Sequence, residues 1–303
     1  MMKPEKGQSE QGDPQDKRPK VSMPLAKAGI LNYKLPLKLS WGSIFQETSA
    51  TVSAFVDVPA ERRGAHFSKI LKPVIVGLGG PGDDITERVH ETAKKILLEN
   101  SYSGKATLTV RTTYLMPHED APGVVSHIPY NFEFSTEIYS NGDYTDSFTL
   151  ETTAMTACPC TMEGTRKLLS NLHPEASSFI SRIPTVTHSQ RNRLRISIHS
   201  NEKCTVDPLA FIRTVEAVTG GPLLSIFPND DSDRFVLNVH LNPFFVEDLI
   251  RELAYAISAE FLEIPGNAMV SISSRSEESL HNHDAWAELE LRMDEIKRKS
   301  WKK

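Results

Sequence analysis

The sequence predicts an α+β fold, with an antiparallel sheet and helices segregated to one of its faces. Three observations predict it. Alternating runs such as "KATLTVRTTYL", with Ala106, Leu108 and Val110 on one side, read as strands with one wet face. Residues 83–99 and 244–261 carry helical apolar stripes: Ile85, Val89, Ala93, Ile96 and Leu97 in the first, Val246, Leu249, Ile250, Leu253, Ile257 and Phe261 in the second. Each half of the chain also reads in the same order, strand–strand–helix–helix–strand–strand, without a repeat at the level of residues.

The elements follow in order. Residues 1–22 are polar and rich in Gly, Pro, Gln and Lys, and read as a disordered tail. "LPLKLSWGSIFQETSATVSAFVDVP" reads as two strands with a turn, and "RRGAHFSKILKPVI" as a short helix. Asp84 and Glu87 give the 83–99 helix a D-x-x-E start, and Asn100-Ser101 with Gly104 end it. "YNFEFSTEIYSNGDYTDSFTLETTAM" reads as two strands joined at Asn141-Gly142, a dipeptide suited to tight hairpins. "RLRISIHS" is the next strand. Asp207 caps a helix with Pro208 at its first position and Gly220-Gly221 at its end. "FPNDDSDRF" reads as an Asp-rich turn. "AMVSISS" and the alternating "AWAELELRM" complete the sheet. The organisation expected is a tail (1–22), a first module (23–142), a second module bearing most of the site (143–295) and a basic C-terminal tail (296–303). Such a sheet has open edges, which oligomerisation would cover.

Composition excludes several classes. Of 303 residues, 39% are hydrophobic and 24% charged, a balance that supports a folded core. A net charge of −5 argues against a nucleic-acid binder with a basic face. No apolar run approaches the roughly 18–20 residues that span a bilayer. The first twenty residues lack the apolar core of a secretory signal. Three cysteines do not make a disulfide framework, so a reducing, cytoplasmic setting is expected.

Two of those three cysteines flank one proline, Cys158-Pro159-Cys160. A bridge across one residue is strained. A structural zinc site wants a second cysteine pair, which is missing. An inert buried pair and a catalytic metal or reactive-thiol site both remain open. Three further clusters bear on the choice: His188 with Arg191, Arg193 and Arg195 in "PTVTHSQRNRLR"; Asp230, Asp231 and Asp233; and Glu277, Glu278, His281, His283 and Asp284 in "SEESLHNHDAW". One thiolate, one imidazole and one carboxylate make a three-ligand set for a divalent metal with an open position for water.

"MTACPC", "THSQR", "NPFFVEDLIRELA" and "ESLHNHDAW", in that order, resemble the type IB GTP cyclohydrolases, most closely their archaeal branch. The resemblance spans about residues 35–293. It implies a tunnelling fold (T-fold) of two tandem ββααββ modules per chain, assembling into a barrel-like homotetramer, a dimer of dimers. It implies a metal-dependent enzyme that opens the guanine imidazole ring of GTP at C8, releases formate and feeds pterin coenzyme synthesis. The archaeal branch gives 7,8-dihydroneopterin 2′,3′-cyclic phosphate and favours Fe²⁺, with Zn²⁺ or Mn²⁺ as alternatives. The same chemistry giving dihydroneopterin triphosphate, or a non-catalytic purine-binding protein, are the alternatives. The insertion "GTRKLLSNLHPEASSFISRIP" between Cys158 and His188, and His240 in "NVHLNP", match the archaeal pattern.

By the same resemblance Cys158 and His188 are metal ligands. The family's third ligand is a glutamate in a P-D-E turn; "PNDDSDRF" has none, so Asp231 or Asp233 stands in. His281 and Glu278 are the acid–base pair near the reacting carbon, and Cys160 lies beside the metal. Glu247 would accept from guanine N1–H and the 2-amino group, a two-point contact that rejects adenine. Phosphates need cations, and Arg191 is the leading candidate, with Arg63 or Lys69 of "RRGAHFSK" as further candidates.

Overall fold

The computed structural model describes residues 13–41, 44–80, 84–227 and 229–298. Most of the expected tail (1–12) and the end of the basic tail (299–303) lie outside them. Strands β1 (Leu25–Trp41) and β2 (Ile44–Val58) are followed by helices α1 (Phe67–Gly79) and α2 (Ile85–Glu99), then by β3 (Lys105–Ala121), β4 (Val124–Tyr139) and β5 (Tyr144–Ala157). Helices α3 (Pro159–Leu172) and α4 (Ser177–Ile180) lead into β6 (Ser189–Ser200). Helices α5 (Pro208–Thr219), α6 (Asn229–Leu241) and α7 (Val246–Glu260) precede β7 (Met269–Glu277), β8 (Ala285–Arg292) and the one-turn α8 (Met293–Ile296).

These strands form one eight-stranded antiparallel sheet in sequence order. This corrects the expected T-fold of two tandem ββααββ modules closing into a barrel-like oligomer. There is no break in the sheet at residue 142: β4 and β5 pair from Ile138↔Tyr144 to Asn131↔Glu151 across that point. Nor does the second half keep the repeat, since two helices separate β5 from β6 and three separate β6 from β7. The sheet does not close on itself; β1 and β8 each have one neighbour among the described residues.

Local chemistry explains the boundaries that sequence reading found. The Asp84 carboxylate accepts from Glu87 N–H at 3.0 Å and starts α2. Asp207 accepts from Leu209 N–H at 2.9 Å and starts α5, with Pro208 at a position whose N–H no helix bond needs. Gly220, at φ +82°, ends α5 in the left-handed region that favours glycine.

Strand side chains alternate between faces. Leu108 and Val110 of β3, Phe132 and Phe134 of β4, Phe148 and Leu150 of β5, and Leu194 and Ile196 of β6 point one way. There they form a single buried cluster with the apolar stripes of α1, α2, α5 and α7. The opposite face is charged: Arg111 pairs with Glu133, Arg195 with Glu133 and Glu151, and Arg193 with Glu277. Near the end of β5 that face is covered. Val239 of α6, with Phe235 beside it, packs on Ala157, Met155 and Met162. Because Met155 and Ala157 have the opposite pleat from Ala154, α6 crosses the charged face, with Met162 of α3 against it, while α1, α2, α5 and α7 lie behind the sheet.

The N-terminal segment is held to the loop before α1. A short 3-10 turn, Pro14–Asp16, sits inside the stretch expected as tail. Arg63 N–H donates to Lys17 O (2.8 Å) and Gly64 N–H to Gln15 O (3.2 Å). Buried His66 places Nδ1 3.2 Å from Asp13 and Nε2 3.0 Å from Asp16, and Arg62 pairs with Asp16 while lying 3.7 Å above the Tyr102 ring. The hydrogen bond from His66 is the main reason the Asp16 carboxyl is held below its ordinary value. Asp16→Asn should loosen this strap and speed tryptic cleavage after Lys17 or Lys20 several-fold. An unchanged cleavage rate would show that the backbone bonds alone hold it.

Candidate active site

The candidate site lies where β5, β6 and β7 end together. β5 runs into Cys158, which is the N-cap of α3; Pro159 takes the first helical position and Cys160 the second. C-P-C is thus a strand-to-helix junction. It places one sulfur at a helix N-terminus, where first-turn N–H groups have no helical partner. Sequence reading missed α3 because a proline after a strand reads as a stop as readily as a start. All three cysteines are free; Cys158 is half-buried and Cys160 exposed. Cys204 lies elsewhere, and burial pushes its thiol up to about 11.

His188 faces Cys158 across the strand pair. Ala157 and Ser189 are in register, Cys158 N–H donates to His188 O at 3.0 Å, and Thr187 Oγ1–H donates to Cys158 O at 2.8 Å. The loop after β7 brings the third cluster alongside. The Glu278 carboxylate lies 3.9 Å from His188 Nδ1, Ser279 Oγ lies 3.3 Å from the same nitrogen, and the His281 ring stands edge-on to His188 with centroids 6.5 Å apart. His283 stacks on His281 at 5.3 Å. Four expected site residues, Cys158, His188, Glu278 and His281, are therefore neighbours. Glu278 leans on His188; no hydrogen bond or ion pair links it to His281 among the described residues.

The remaining candidates are less closely gathered. The Asp-rich stretch is the first turn of α6 rather than a turn between elements, and the Asp230 side chain lies outside the description. At 3.6 residues per turn, Asp231 shares a face with Phe235 and Val239, the residues that seat α6 beside Ala157. Asp233 falls on nearly the opposite face. Among the described residues, no three His, Cys, Asp or Glu side chains stand close enough together to hold a metal ion. Cys158 and His188 are of donor types that suit a divalent metal, and their backbones are hydrogen-bonded to each other, but no third ligand is assembled with them among the described residues. Glu247 is exposed in the first turn of α7, without a hydrogen bond or ion pair to this group among the described residues. The His240 imidazole is absorbed by its own helix, donating from Nδ1 to Val236 O at 2.8 Å. Arg63 takes part in the strap, away from the cysteines.

A cavity of about 730 Å³ opens on the charged face where β4 and β5 part beyond Asn131↔Glu151. Arg191, Arg193, Arg195 and Arg275 line it, as do Tyr130 and Glu216, which are hydrogen-bonded to each other. Burial raises both groups' proton affinity, the Glu216 carboxyl and the Tyr130 phenol alike. Cys158 does not line the cavity; Arg191, which does, lies three residues along β6 from His188. Among the described residues Arg191 has no ion-pair partner, whereas Arg193 and Arg195 are engaged with glutamates. Sequence reasoning overlooked Ser279 and the Tyr130–Glu216 pair. Ser279 was legible in principle, sitting between two candidates in E-S-L-H.

The strand ends thus gather a thiol, imidazoles and a carboxylate, groups able to do acid–base and metal chemistry. The family described as type I GTP cyclohydrolase folE2 matches residues 12–287. The chain belongs to this family and is a GTP cyclohydrolase. GTP cyclohydrolase MptA of Thermoplasma acidophilum is 33% identical over 94% of this chain and 97% of its own length. GTP cyclohydrolase MptA of Methanospirillum hungatei is 28% identical over 94% and 92%. Among solved structures, uricase from Arthrobacter globiformis matches with a TM-score of 0.58 at 9% identity, over 90% of this chain and 96% of its own. That likeness is one of fold alone, and the shared fold is the single sheet with helices described above. No helix among the described residues is long and apolar enough to cross a membrane.

Proposed function

We propose that this GTP cyclohydrolase is a divalent-metal enzyme, with Fe²⁺ as its metal, that converts GTP to 7,8-dihydroneopterin 2′,3′-cyclic phosphate, formate and pyrophosphate. It would catalyse the first step of an archaeal, methanopterin-type pterin pathway. The observation that supports it most is the juxtaposition of Cys158 and His188 across the ends of β5 and β6, with Glu278 and His281 alongside. The names of its relatives, GTP cyclohydrolase MptA, favour the cyclohydrolase chemistry, and the resemblance to the archaeal branch is what suggests the cyclic-phosphate product.

Cys158 and His188 would hold the metal, with Asp231 as the third ligand because it shares the face that seats α6 at the site. Such a metal lowers the pKa of a bound water to about 7 and so supplies hydroxide at neutral pH. The chain's own groups do the rest. His281 delivers a proton to guanine N7, which makes C8 electrophilic. Water adds to C8, the C8–N9 bond breaks, and a second water frees C8 as formate. Glu278 steadies His188 from the Nδ1 edge of its ring. Glu247 accepts from N1–H and the 2-amino group of guanine. Arg191, uncommitted among the described residues, takes the triphosphate, and Cys160 stands beside the metal ligand as its thiol neighbour. The reading includes a cytoplasmic enzyme that binds no nucleic acid and associates as a homotetramer, a dimer of dimers, using the free edges of β1 and β8.

The test is anaerobic turnover of GTP by metal-stripped protein reloaded with Fe²⁺, Mn²⁺ or Zn²⁺, with formate assayed and the pterin identified by mass. Formate and the cyclic phosphate are expected, best with Fe²⁺. A triphosphate pterin would overturn the product, turnover without metal would overturn the cofactor, and a monomer mass by light scattering would overturn the tetramer.

A further inference from the structure

We propose that Ser279 is a positioning residue: it fixes His188 as the tautomer protonated on Nδ1 and leaves the Nε2 lone pair bare. The inference rests on the proposed function only for what that lone pair binds. The tautomer is a property of the metal-free protein.

The argument is a count of protons. Ser279 Oγ lies 3.1 Å from the Ser189 carbonyl oxygen and 3.3 Å from His188 Nδ1. A serine hydroxyl carries one proton and can accept as well as donate. A carbonyl oxygen can only accept, so the contact to Ser189 uses the proton. The contact to His188 then requires Nδ1 to be the donor. In a neutral imidazole one nitrogen carries hydrogen and the other a lone pair. Hydrogen on Nδ1 therefore leaves Nε2 as the acceptor.

Glu278 makes the same choice independently. Its Oε2 is 3.9 Å from Nδ1, and its Oε1 accepts from Ser276 Oγ at 2.9 Å, which holds the carboxylate in place. Both side chains are largely buried, at 14% and 11% exposed, so the interaction is only partly screened. A lone pair on Nδ1 would face that negative charge; an N–H is attracted to it. The reverse tautomer would lose the Ser189 bond and gain this repulsion. The backbone holds the ring's base as well, through the bond from Cys158 N–H to His188 O. On the ring's other edge, Nε2 has no hydrogen-bond partner among the described residues, and it is the nitrogen left to serve as a ligand. Partners that orient a metal-binding imidazole in this way commonly change metal affinity about 10–100-fold when removed.

The experiment uses full-length, metal-free protein with ¹⁵N-labelled histidine. Two-bond ¹H–¹⁵N correlations are recorded about two pH units above the ordinary histidine value of roughly 6.5, so that rings are neutral. A His188→Gln spectrum assigns the signals. Wild type should show His188 protonated on Nδ1. Ser279→Ala should shift the population toward Nε2–H, and Ser279→Thr, which keeps the hydroxyl, should restore it. Zn²⁺ affinity, measured against a competing chelator, should fall about 10–100-fold in Ser279→Ala and recover in Ser279→Thr. Wild-type His188 protonated on Nε2, or a tautomer indifferent to Ser279→Ala, would overturn the inference. So would a shifted tautomer with unchanged Zn²⁺ affinity. If the tautomers behave as expected but no variant, wild type included, binds a metal, Ser279 keeps its assignment and the metal-dependent function falls.

Discussion

Replacing Cys158 by alanine should abolish formate release from GTP while the protein remains folded. Cys158 makes no side-chain capping hydrogen bond to α3, and Pro159, not the sulfur, sets the start of that helix. Losing the sulfur therefore removes little local stability. Serine at this N-cap should even hold the helix better, since Ser is a preferred cap and is worth roughly 1 kcal/mol over Ala. Activity should not follow stability. A metal acting on the reacting water is worth several kcal/mol of transition-state stabilisation. At 1.4 kcal/mol per decade, its loss costs on the order of 10³-fold in rate. Cys158→Ala and Cys158→Ser should thus both be inactive and both lack stoichiometric metal. Cys204→Ala, at a thiol that burial pushes up to about 11, should turn over GTP like its parent. More than a tenth of wild-type activity in Cys158→Ala would remove the metal from the mechanism.

The elements that sequence reading located are those whose signals are local. Asp84 and Asp207 cap the helices they were expected to cap, and Gly220 ends the second of them. Asn141-Gly142 turns β4 into β5, with Gly142 at φ +95°. What it missed depends on partners far along the chain. The apolar stripe of α6 is short, and Phe235 and Val239 acquire meaning only against Ala157 and Met162. With three aspartates at its start, the segment reads as a turn. The tandem ββααββ repeat failed for a similar reason: a repeated order of elements says nothing about whether two strands on either side of a boundary pair. The site shows the same limit. Cys158, His188 and Glu278 are widely spaced in sequence and meet through the β5–β6–β7 registers. Their shared role came from resemblance to a family, and the hydroxyl between them came from geometry.

Phe148→Ala should lower the stability of the whole chain and leave a single unfolding transition. Phe148 is 4% exposed at the middle of β5, the first strand beyond the Asn141-Gly142 turn. Its ring lies 5.7 Å from both Phe132 and Phe134 of β4 and 5.1 Å from Phe211 of α5. Phe132 continues the chain of rings to Trp41 of β1 at 5.0 Å, and Phe211 continues it to Phe261 after α7 at 5.2 Å. One aromatic series therefore runs from the first strand to the last long helix. Removing a buried phenyl costs about 3–5 kcal/mol, part lost transfer energy and part cavity. For a chain of this size that corresponds to a fall in Tm of about 10 °C. Two independent modules would give a different calorimetric trace, with one peak moving and the other staying. A single peak that moves as a whole is expected here, because Phe148 belongs equally to the strands before it and the helices after it. A stationary second peak would mean that the continuous sheet hides two separately stable cores, and that the β4–β5 ladder joins them without coupling their unfolding.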